Sequence, residues 1–138
     1  MTDVQAMVAE FHKAFGAPNN LGQTPNAEIE RKELRFELIQ EEFFEFQGAI
    51  GDGYTSEPYK GYQPADTVEV ADALADLVYV AFGAALEFGI DLNAVLAEVH
   101  RSNLSKLGAD GKPIYREDGK VLKGPNYSPP DIPAVLGL

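Results

Sequence analysis

Glutamates in the middle of one predicted helix have the spacing of a metal site. Residues 37–45 contain four glutamates among apolar side chains, and on a helix Glu41, Glu42 and Glu45 share one face, because residues three and four apart are neighbours. Like charges held this close repel one another and need a counter-ion. Mg²⁺ and Mn²⁺ prefer carboxylate oxygens and would supply it. The alternative is a solvated acidic helix face.

A second acidic group lies in an apolar segment further along the chain. Between residues 70 and 86 the only charged side chains are Asp72 and Asp76, four residues apart, and Glu69 extends the same helix face. Carboxylates are costly to bury unless they are paired with a cation. We therefore expect this face to meet the glutamates across two antiparallel helices and to hold about two or three Mg²⁺ or Mn²⁺ ions. The alternative is that Asp76 bonds a basic side chain or a helix end.

A carboxylate pocket of this kind suits the hydrolysis of a phosphorylated substrate. Bound cations neutralise a triphosphate and polarise the phosphorus under attack, and one carboxylate can orient or deprotonate a water. Basic side chains that follow the acidic helices are candidates for contacts with phosphate oxygens. They are Lys106, Arg116, Lys120 and Lys123.

Two other kinds of site are excluded by their motifs. The chain has no Gly-x-x-x-x-Gly-Lys-Ser/Thr loop, so it is not a P-loop enzyme. A di-iron carboxylate bundle needs Glu-x-x-His on two helices, and neither His12 nor His100 follows a glutamate at that spacing.

The formal net charge of −11 argues against a nucleic-acid polymer as partner, because such binding depends on Lys and Arg at the phosphates.

Length and composition indicate a single domain over residues 1–138. A chain of 138 residues with 45% hydrophobic content can bury a core, and the absence of cysteine is compatible with a reducing compartment. We find neither an apolar run long enough to span a membrane nor the pattern of a signal peptide. We therefore expect no membrane partner and a cytoplasmic location.

Periodicity and capping residues predict a helical core over about residues 2–107. Asn26 and Asp91 are candidate N-caps, and Gly89 is a candidate C-cap. The third helix is apolar nearly all round and should be central. The predicted helices cover about residues 2–15, 27–49, 65–89 and 92–107.

Three further features concern single residues or loops. His12 lies beside the apolar stripe of the first helix and is assigned to packing or surface. Arg31, Lys32 and Arg35 are expected to pair with glutamates of their own helix, Glu28 or Glu37. The loop over residues 48–64 carries three tyrosines that either stack on a base or decorate the surface. They are Tyr54, Tyr59 and Tyr62.

Residues 108–138 should form a hairpin and an extended tail. Alternating residues turn at Asp118-Gly119, a sequence typical of a tight hairpin. The following segment, 124–130, is rich in proline and should be extended.

The two acidic motifs together resemble a known family. Glu41-Glu42-x-x-Glu45, followed by Asp72-Ala-Leu-Ala-Asp76-Leu-Val-Tyr, is similar to the all-α nucleoside triphosphate pyrophosphohydrolases, which comprise the MazG-like and phosphoribosyl-ATP pyrophosphatase-like enzymes. The segment Glu98–Lys106 resembles the last core helix of that family, in which Asn and Lys face the phosphates. The resemblance covers about residues 30–106.

The resemblance implies a fold, a reaction and residue roles. The fold is a four- to five-helix bundle whose protomers form homodimers or homotetramers, and the reaction converts an NTP or dNTP to the monophosphate and pyrophosphate. Glu42, Glu45 and Asp76 are metal ligands by this resemblance, and Glu41 binds metal or orients the attacking water. The family has glutamate three residues before the aspartate, where this chain has Ala73, and Asp72 is the expected substitute.

The substrate implied is a deoxynucleotide from one of two branches. The chain resembles two branches of the family: bacterial enzymes that cleave dUTP and phage enzymes that cleave dGTP. We therefore expect it to act in a bacterium or in an infected host cell. Asn103, Asn126 or loop backbone could read the base. The alternative from another class is a non-catalytic acidic helical dimer that binds a nucleotide or a protein partner.

Overall fold

The chain folds into helices with one minimal sheet, which confirms the predicted all-α class. A computed structural model describes residues 2–51 and 65–138. These residues contain α1 (Val4–Phe15), α2 (Lys32–Ala49), α3 (Thr67–Phe88), α4 (Leu92–Leu104), β1 (Ile114–Tyr115), β2 (Val121–Leu122) and α5 (Ile132–Leu136). None of these helices is by itself long and apolar enough to cross a membrane, although α3 and α4 pass that test when they are joined across the break between them.

Helix α3 is the centre of the first of two compact units, which cover residues 1–90 and 91–138. It packs against both α2 and α1, as its apolar character predicts. Asp66 caps it by accepting hydrogen bonds from two backbone N–H groups of the first turn. Gly89 ends it with a φ of 73°, a conformation that glycine adopts without strain.

Helix α2 begins at Lys32, so the predicted start near residue 27 is wrong. The Asn26 side chain accepts a hydrogen bond from the backbone N–H of Glu28 at 2.8 Å, which closes a turn and does not begin the helix. The backbone N–H of Asn26 donates to the carbonyl of Phe88 at 3.0 Å. The loop before α2 is therefore hydrogen-bonded to the last carbonyls of α3. The helical conformation begins only after the residues that make these bonds.

The second unit joins α4 to a hairpin and a short last helix. Asp91 caps α4, as predicted, by accepting from the N–H of Ala94 at 3.1 Å. The strands pair as Ile114↔Leu122 and Tyr115↔Val121, which confirms the hairpin. The tail is not extended throughout, because Asp131 caps α5 near the end of the chain.

Helix α4 is shorter than predicted. The helix predicted over about residues 92–107 ends at Leu104, and the next residues form turns closed by backbone bonds of the i→i+3 type. The tyrosines at positions 54, 59 and 62, predicted either to stack on a base or to decorate the surface, lie outside the described residues.

Candidate metal centre

Three of the predicted metal ligands lie together between α2 and α3. Glu42, Glu45 and Asp76 each offer a carboxylate oxygen, and these oxygens all lie within 4.8 Å of one another. Glu42 and Glu45 are one turn apart on α2, and Asp76 reaches them from α3. The spacing of three residues on one helix and the packing of the two helices together account for the group.

The two helices run antiparallel, and contacts at both ends define how they pair. Near the end of α2, the carbonyl of Ala49 accepts from the backbone N–H of Asp66 at 3.1 Å. Near its start, the Arg35 guanidinium donates through Nε to Glu87 close to the end of α3. The carboxylate group lies between these two fixed points.

Burial and neighbouring charge make Glu42 the most perturbed member of the group. Its Oε2 atom is buried and has no hydrogen-bond donor within residues 2–51 and 65–138. Burial, then the charge of Glu45 and a hydrogen bond with it, and then the charges of Asp76 and Glu41, raise the pKa of Glu42 from 4.5 to about 7. A carboxyl group in this setting needs either a proton or a cation.

The donor set fits Mg²⁺ or Mn²⁺. All three side chains offer hard oxygen ligands, with no sulfur or imidazole in the group. Glu42 and Asp76 are half-buried and Glu45 is exposed, so one side of the group stays open. The orphaned oxygen of Glu42 is what a bound cation would satisfy.

The other two predicted acidic residues are placed differently. Glu41 is exposed and lies near enough for its charge to raise the pKa of Glu42. Asp72 is exposed and is not a member of the carboxylate group. Ala73 is 3% exposed and contributes no oxygen, so within the described part of α3 the group has one aspartate ligand.

The residues predicted to contact phosphates belong to the second unit. Lys106 donates through Nζ to Oδ1 of Asn103 at 3.0 Å, which brings two of them together. Lys123 places its amine 4.6 Å from the centre of the Tyr127 ring, a cation–π contact. The remaining two lie on the hairpin turn around Asp118.

In this turn the two basic residues differ in their bonding. Arg116 donates from Nε to Oδ1 of Asp118 at 2.9 Å and from Nη2 to Oδ2 of the same carboxylate. Lys120 donates its backbone N–H to Oδ1 of Asp118 at 3.1 Å. The guanidinium of Arg116 is therefore already paired.

Comparison with known proteins identifies the family. The model of the phosphoribosyl-ATP pyrophosphohydrolase family matches residues 8–103, which include all three members of the carboxylate group. This chain belongs to that family. The resemblance inferred from the acidic motifs is thereby confirmed, and membership supports a pyrophosphohydrolase type of activity on nucleotides.

Proteins similar to this member of the family include one from a virus and one from a bacterium. An uncharacterised protein of Acanthamoeba polyphaga mimivirus is 28% identical over 125 residues, which cover 88% of this chain and 42% of the viral protein. The chain therefore spans less than half the length of that relative. A crystal structure of a candidate NTP pyrophosphohydrolase from Exiguobacterium sp. 255-15 is 26% identical, with a TM-score of 0.47 and coverage of 99% of this chain and 93% of that one.

A buried polar network in this phosphoribosyl-ATP pyrophosphohydrolase family member was missed in the sequence. Arg35 and Glu87 are buried and form an ion pair between α2 and α3, so pairing of Arg35 with Glu28 or Glu37 is wrong. Arg31 Nε lies 3.2 Å from Oε1 of the same Glu87, without the alignment of a hydrogen bond. A signal was present: Glu87 follows a run of small and apolar residues, a position that is costly for an unpaired charge.

His12 completes this network from α1. It is 2% exposed, Nδ1 lies 2.7 Å from the Pro18 carbonyl, and Nε2 lies 3.5 Å from Nη2 of Arg35. Burial lowers the pKa of His12, and the positive charges of Arg35 and Arg31 lower it further against the raising effect of the Pro18 carbonyl. The expected role in packing fits this position.

Proposed function

We propose that this protein is a Mg²⁺- or Mn²⁺-dependent nucleoside triphosphate pyrophosphohydrolase that releases a nucleoside monophosphate and pyrophosphate. The observation that carries the proposal is the group of Glu42, Glu45 and Asp76, with oxygens within 4.8 Å of one another and one buried oxygen that has no donor among the described residues. Family membership supports the reaction class. Bound to these residues, a divalent cation would neutralise the triphosphate and polarise the phosphorus under attack.

Glu41 is the proposed catalytic residue. It is exposed beside the carboxylate group, where its carboxylate is free to accept a hydrogen bond from a water and to take its proton. Glu42, Glu45 and Asp76 are then occupied in holding cations. Asp72 is retained as an additional ligand of a more exposed ion, in the role that the family gives to a glutamate at position 73.

The second unit is proposed to supply the phosphate contacts. Residues 91–138 carry six acidic and six basic side chains, so the net charge of −11 resides in residues 1–90. The second unit therefore repels a polyphosphate less than the first. The proposed phosphate ligands are Asn103, Lys106, Arg116, Lys120 and Lys123, and Arg116 must exchange Asp118 for a phosphate oxygen to act.

The proposed substrate is a deoxynucleoside triphosphate such as dGTP or dUTP, and the proposed assembly is a homodimer or homotetramer. Large apolar side chains are exposed on both helices that carry the carboxylates. On α2 they include Phe36, Phe43 and Phe44, and on α3 Leu74 and Val78. An apolar surface of this kind is typical of an interface between subunits.

A substrate panel tests the proposed function. Each dNTP and NTP is incubated with the protein and Mg²⁺, and pyrophosphate and orthophosphate are measured separately. We expect pyrophosphate release with at least one deoxynucleotide and no release in EDTA. A non-catalytic nucleotide-binding dimer would instead raise its melting temperature with nucleotide and release neither product.

A further inference from the structure

Arg35 lies in a notch on α3 where Gly83 has no side chain. A Cβ atom built at Gly83 would come within 2.6 Å of Nη1 of Arg35 and 3.1 Å of Nε2 of His12. Both distances are shorter than ordinary van der Waals contact, so a larger residue at position 83 would displace the guanidinium. Glycine at this position is what lets Arg35 cross the face of α3.

This notch and the carboxylate group lie in the same register. Arg35 precedes Glu42 by seven residues on α2, and Gly83 follows Asp76 by seven residues on α3. Seven residues are close to two helical turns, so each pair shares a face of its helix. Because the helices run antiparallel, the alignment that seats Arg35 at Gly83 also places Glu42 opposite Asp76.

The ion pair between Arg35 and Glu87 opposes sliding of α2 along α3. Arg35 is 6% exposed and Glu87 is 2% exposed, and Nε of Arg35 donates to the Glu87 carboxylate. Slippage of α2 along α3 by one turn, about 5.4 Å, would separate these charges inside the protein. Breaking a buried pair is strongly destabilising, whereas apolar residues in its place are often tolerated without loss of stability. A buried pair of this kind therefore contributes specificity of alignment more than stability.

We infer that Arg35, seated at Gly83 and paired with Glu87, is a positioning residue that sets the register of α2 against α3 and so brings Glu42 and Glu45 to Asp76. The inference rests on the proposed function only in taking the carboxylate group as a cation site. Arg35 acts through the helix and has no role in binding the cation or the nucleotide.

The test replaces the pair by apolar residues of similar size. In the double variant Arg35→Met/Glu87→Met the core is expected to stay packed, with a metal-free Tm close to that of the wild type. Mn²⁺ binding, measured by electron paramagnetic resonance, should weaken by roughly tenfold or more, the scale seen when residues that orient metal ligands are lost. A folded double variant with wild-type Mn²⁺ affinity would overturn the inference.

Two further variants separate alignment from general disturbance. Arg31 is the other arginine beside Glu87; it is partly exposed and precedes α2. Arg31→Met should therefore leave Mn²⁺ affinity within about twofold of the wild type. Gly83→Leu keeps every charge but fills the place of the guanidinium with a side chain, and should weaken Mn²⁺ binding as the double variant does. If the double variant does not fold, unchanged Mn²⁺ affinity in Gly83→Leu overturns the inference.

A distance measurement keeps the inference separate from the proposed function. The chain has no cysteine, so Gln40→Cys and Ala71→Cys, both at exposed positions on α2 and α3, can carry spin labels. Labelled protein diluted with unlabelled protein reports the distance within one chain without metal. We expect one narrow distance in the wild-type background and a shifted or broadened one in Gly83→Leu. Wild-type protein that binds no Mn²⁺ would refute the proposed function, whereas an unchanged distance would refute the role of Arg35.

Discussion

Glu42 on α2 and Asp76 on α3 present carboxylate oxygens to each other within 4.8 Å, and one oxygen of Glu42 is buried without a donor in the part of the chain that the structure describes. Two like charges at this separation raise each other's free energy in the absence of a cation. The arrangement therefore destabilises the metal-free protein, and a bound cation relieves this repulsion.

Neutral isosteres at these two positions should abolish turnover without unfolding the protein. We expect Glu42→Gln and Asp76→Asn each to lower kcat/KM by roughly 100-fold or more, the scale of losing one electrostatic group at a reacting centre. The metal-free Tm should not fall, because each change removes a like charge. Circular dichroism and pyrophosphate release check the two outcomes.

Asp72→Asn is the matched control for these variants. Asp72 is exposed and lies outside the carboxylate group, so its loss should weaken Mn²⁺ binding less than the loss of Asp76. An equal effect of the two variants would show that the group as described is incomplete.

Metal binding should strengthen as the pH rises through about 7. The pKa of Glu42 is raised to about 7, chiefly by burial, so below that pH a proton competes with the cation for the same oxygens. Calorimetric titration with Mg²⁺ or Mn²⁺ at pH 6 to 8 should show release of close to one proton at the low end. An affinity independent of pH over this range would contradict the position of Glu42.

In the metal-free protein, the contribution of Glu42 to stability should change with pH in the opposite direction and fall as the pH rises. The folded protein binds the Glu42 proton more tightly than the unfolded chain does, since the pKa rises from 4.5 to about 7. The contribution of Glu42 to stability is therefore fully present below pH 4.5 and is lost as the pH rises through 7. Comparing the chemical unfolding of the wild type and Glu42→Gln from pH 4.5 to above 7 isolates the contribution of Glu42, because His12 is present in both proteins.

Glu98 should hold the end of the chain on α4. It accepts hydrogen bonds from Nη2 and Nε of Arg101 at 2.7 and 3.0 Å and from the backbone N–H of Asp131 at 2.9 Å. The Arg101 hydrogen bonds, followed by that of Asp131, lower the pKa of Glu98 from 4.5 to about 2. This anchor is therefore present above pH 4.5 and is lost as the pH falls through about 2.

Glu98→Gln should release this anchor at neutral pH. We expect faster hydrogen exchange at Asp131 and in α5, with α4 unchanged, because α5 packs on α4. Asp118→Asn, which changes contacts within the hairpin, is the control and should leave exchange in α5 as it was. Unchanged exchange in both variants would show that Glu98 does not hold the tail.

The lysines of the second unit should affect nucleotide binding separately from metal binding. Lys106→Met and Lys123→Met should each raise KM by roughly tenfold, the scale of one charged hydrogen bond, with Mn²⁺ affinity unchanged. Arg116→Met should have a smaller effect because Arg116 is already paired with Asp118. Loss of kcat at constant KM would contradict a phosphate-binding role.

Local spacing and capping were sufficient to predict much of this architecture. Glu42 and Glu45 are one turn apart, so their common face follows from helical geometry, and Asp76 follows from the cost of a charge in an apolar helix. The N-cap of α4 at Asp91 and the C-cap of α3 at Gly89 follow from residue type in the same way.

Features that depend on distant contacts could not be predicted in this way. By spacing alone Arg35 could pair with glutamates on its own helix, and its true partner Glu87 is 52 residues away. The late start of α2 depends on a bond from Asn26 to α3 that no local pattern encodes. Helix α5 was missed because the prolines around Asp131 suggested an extended tail, although proline is tolerated in a first helical turn.

The central claim is that the carboxylate group supports metal-dependent cleavage of a nucleoside triphosphate to monophosphate and pyrophosphate. Phosphorus NMR of a dNTP reaction follows all products at once. With Mg²⁺ we expect equal amounts of monophosphate and pyrophosphate and no orthophosphate, with no turnover in EDTA and turnover lowered by roughly 100-fold or more in Asp76→Asn. Orthophosphate as the product, turnover that persists in EDTA, or turnover in Asp76→Asn close to that of the wild type would contradict the claim.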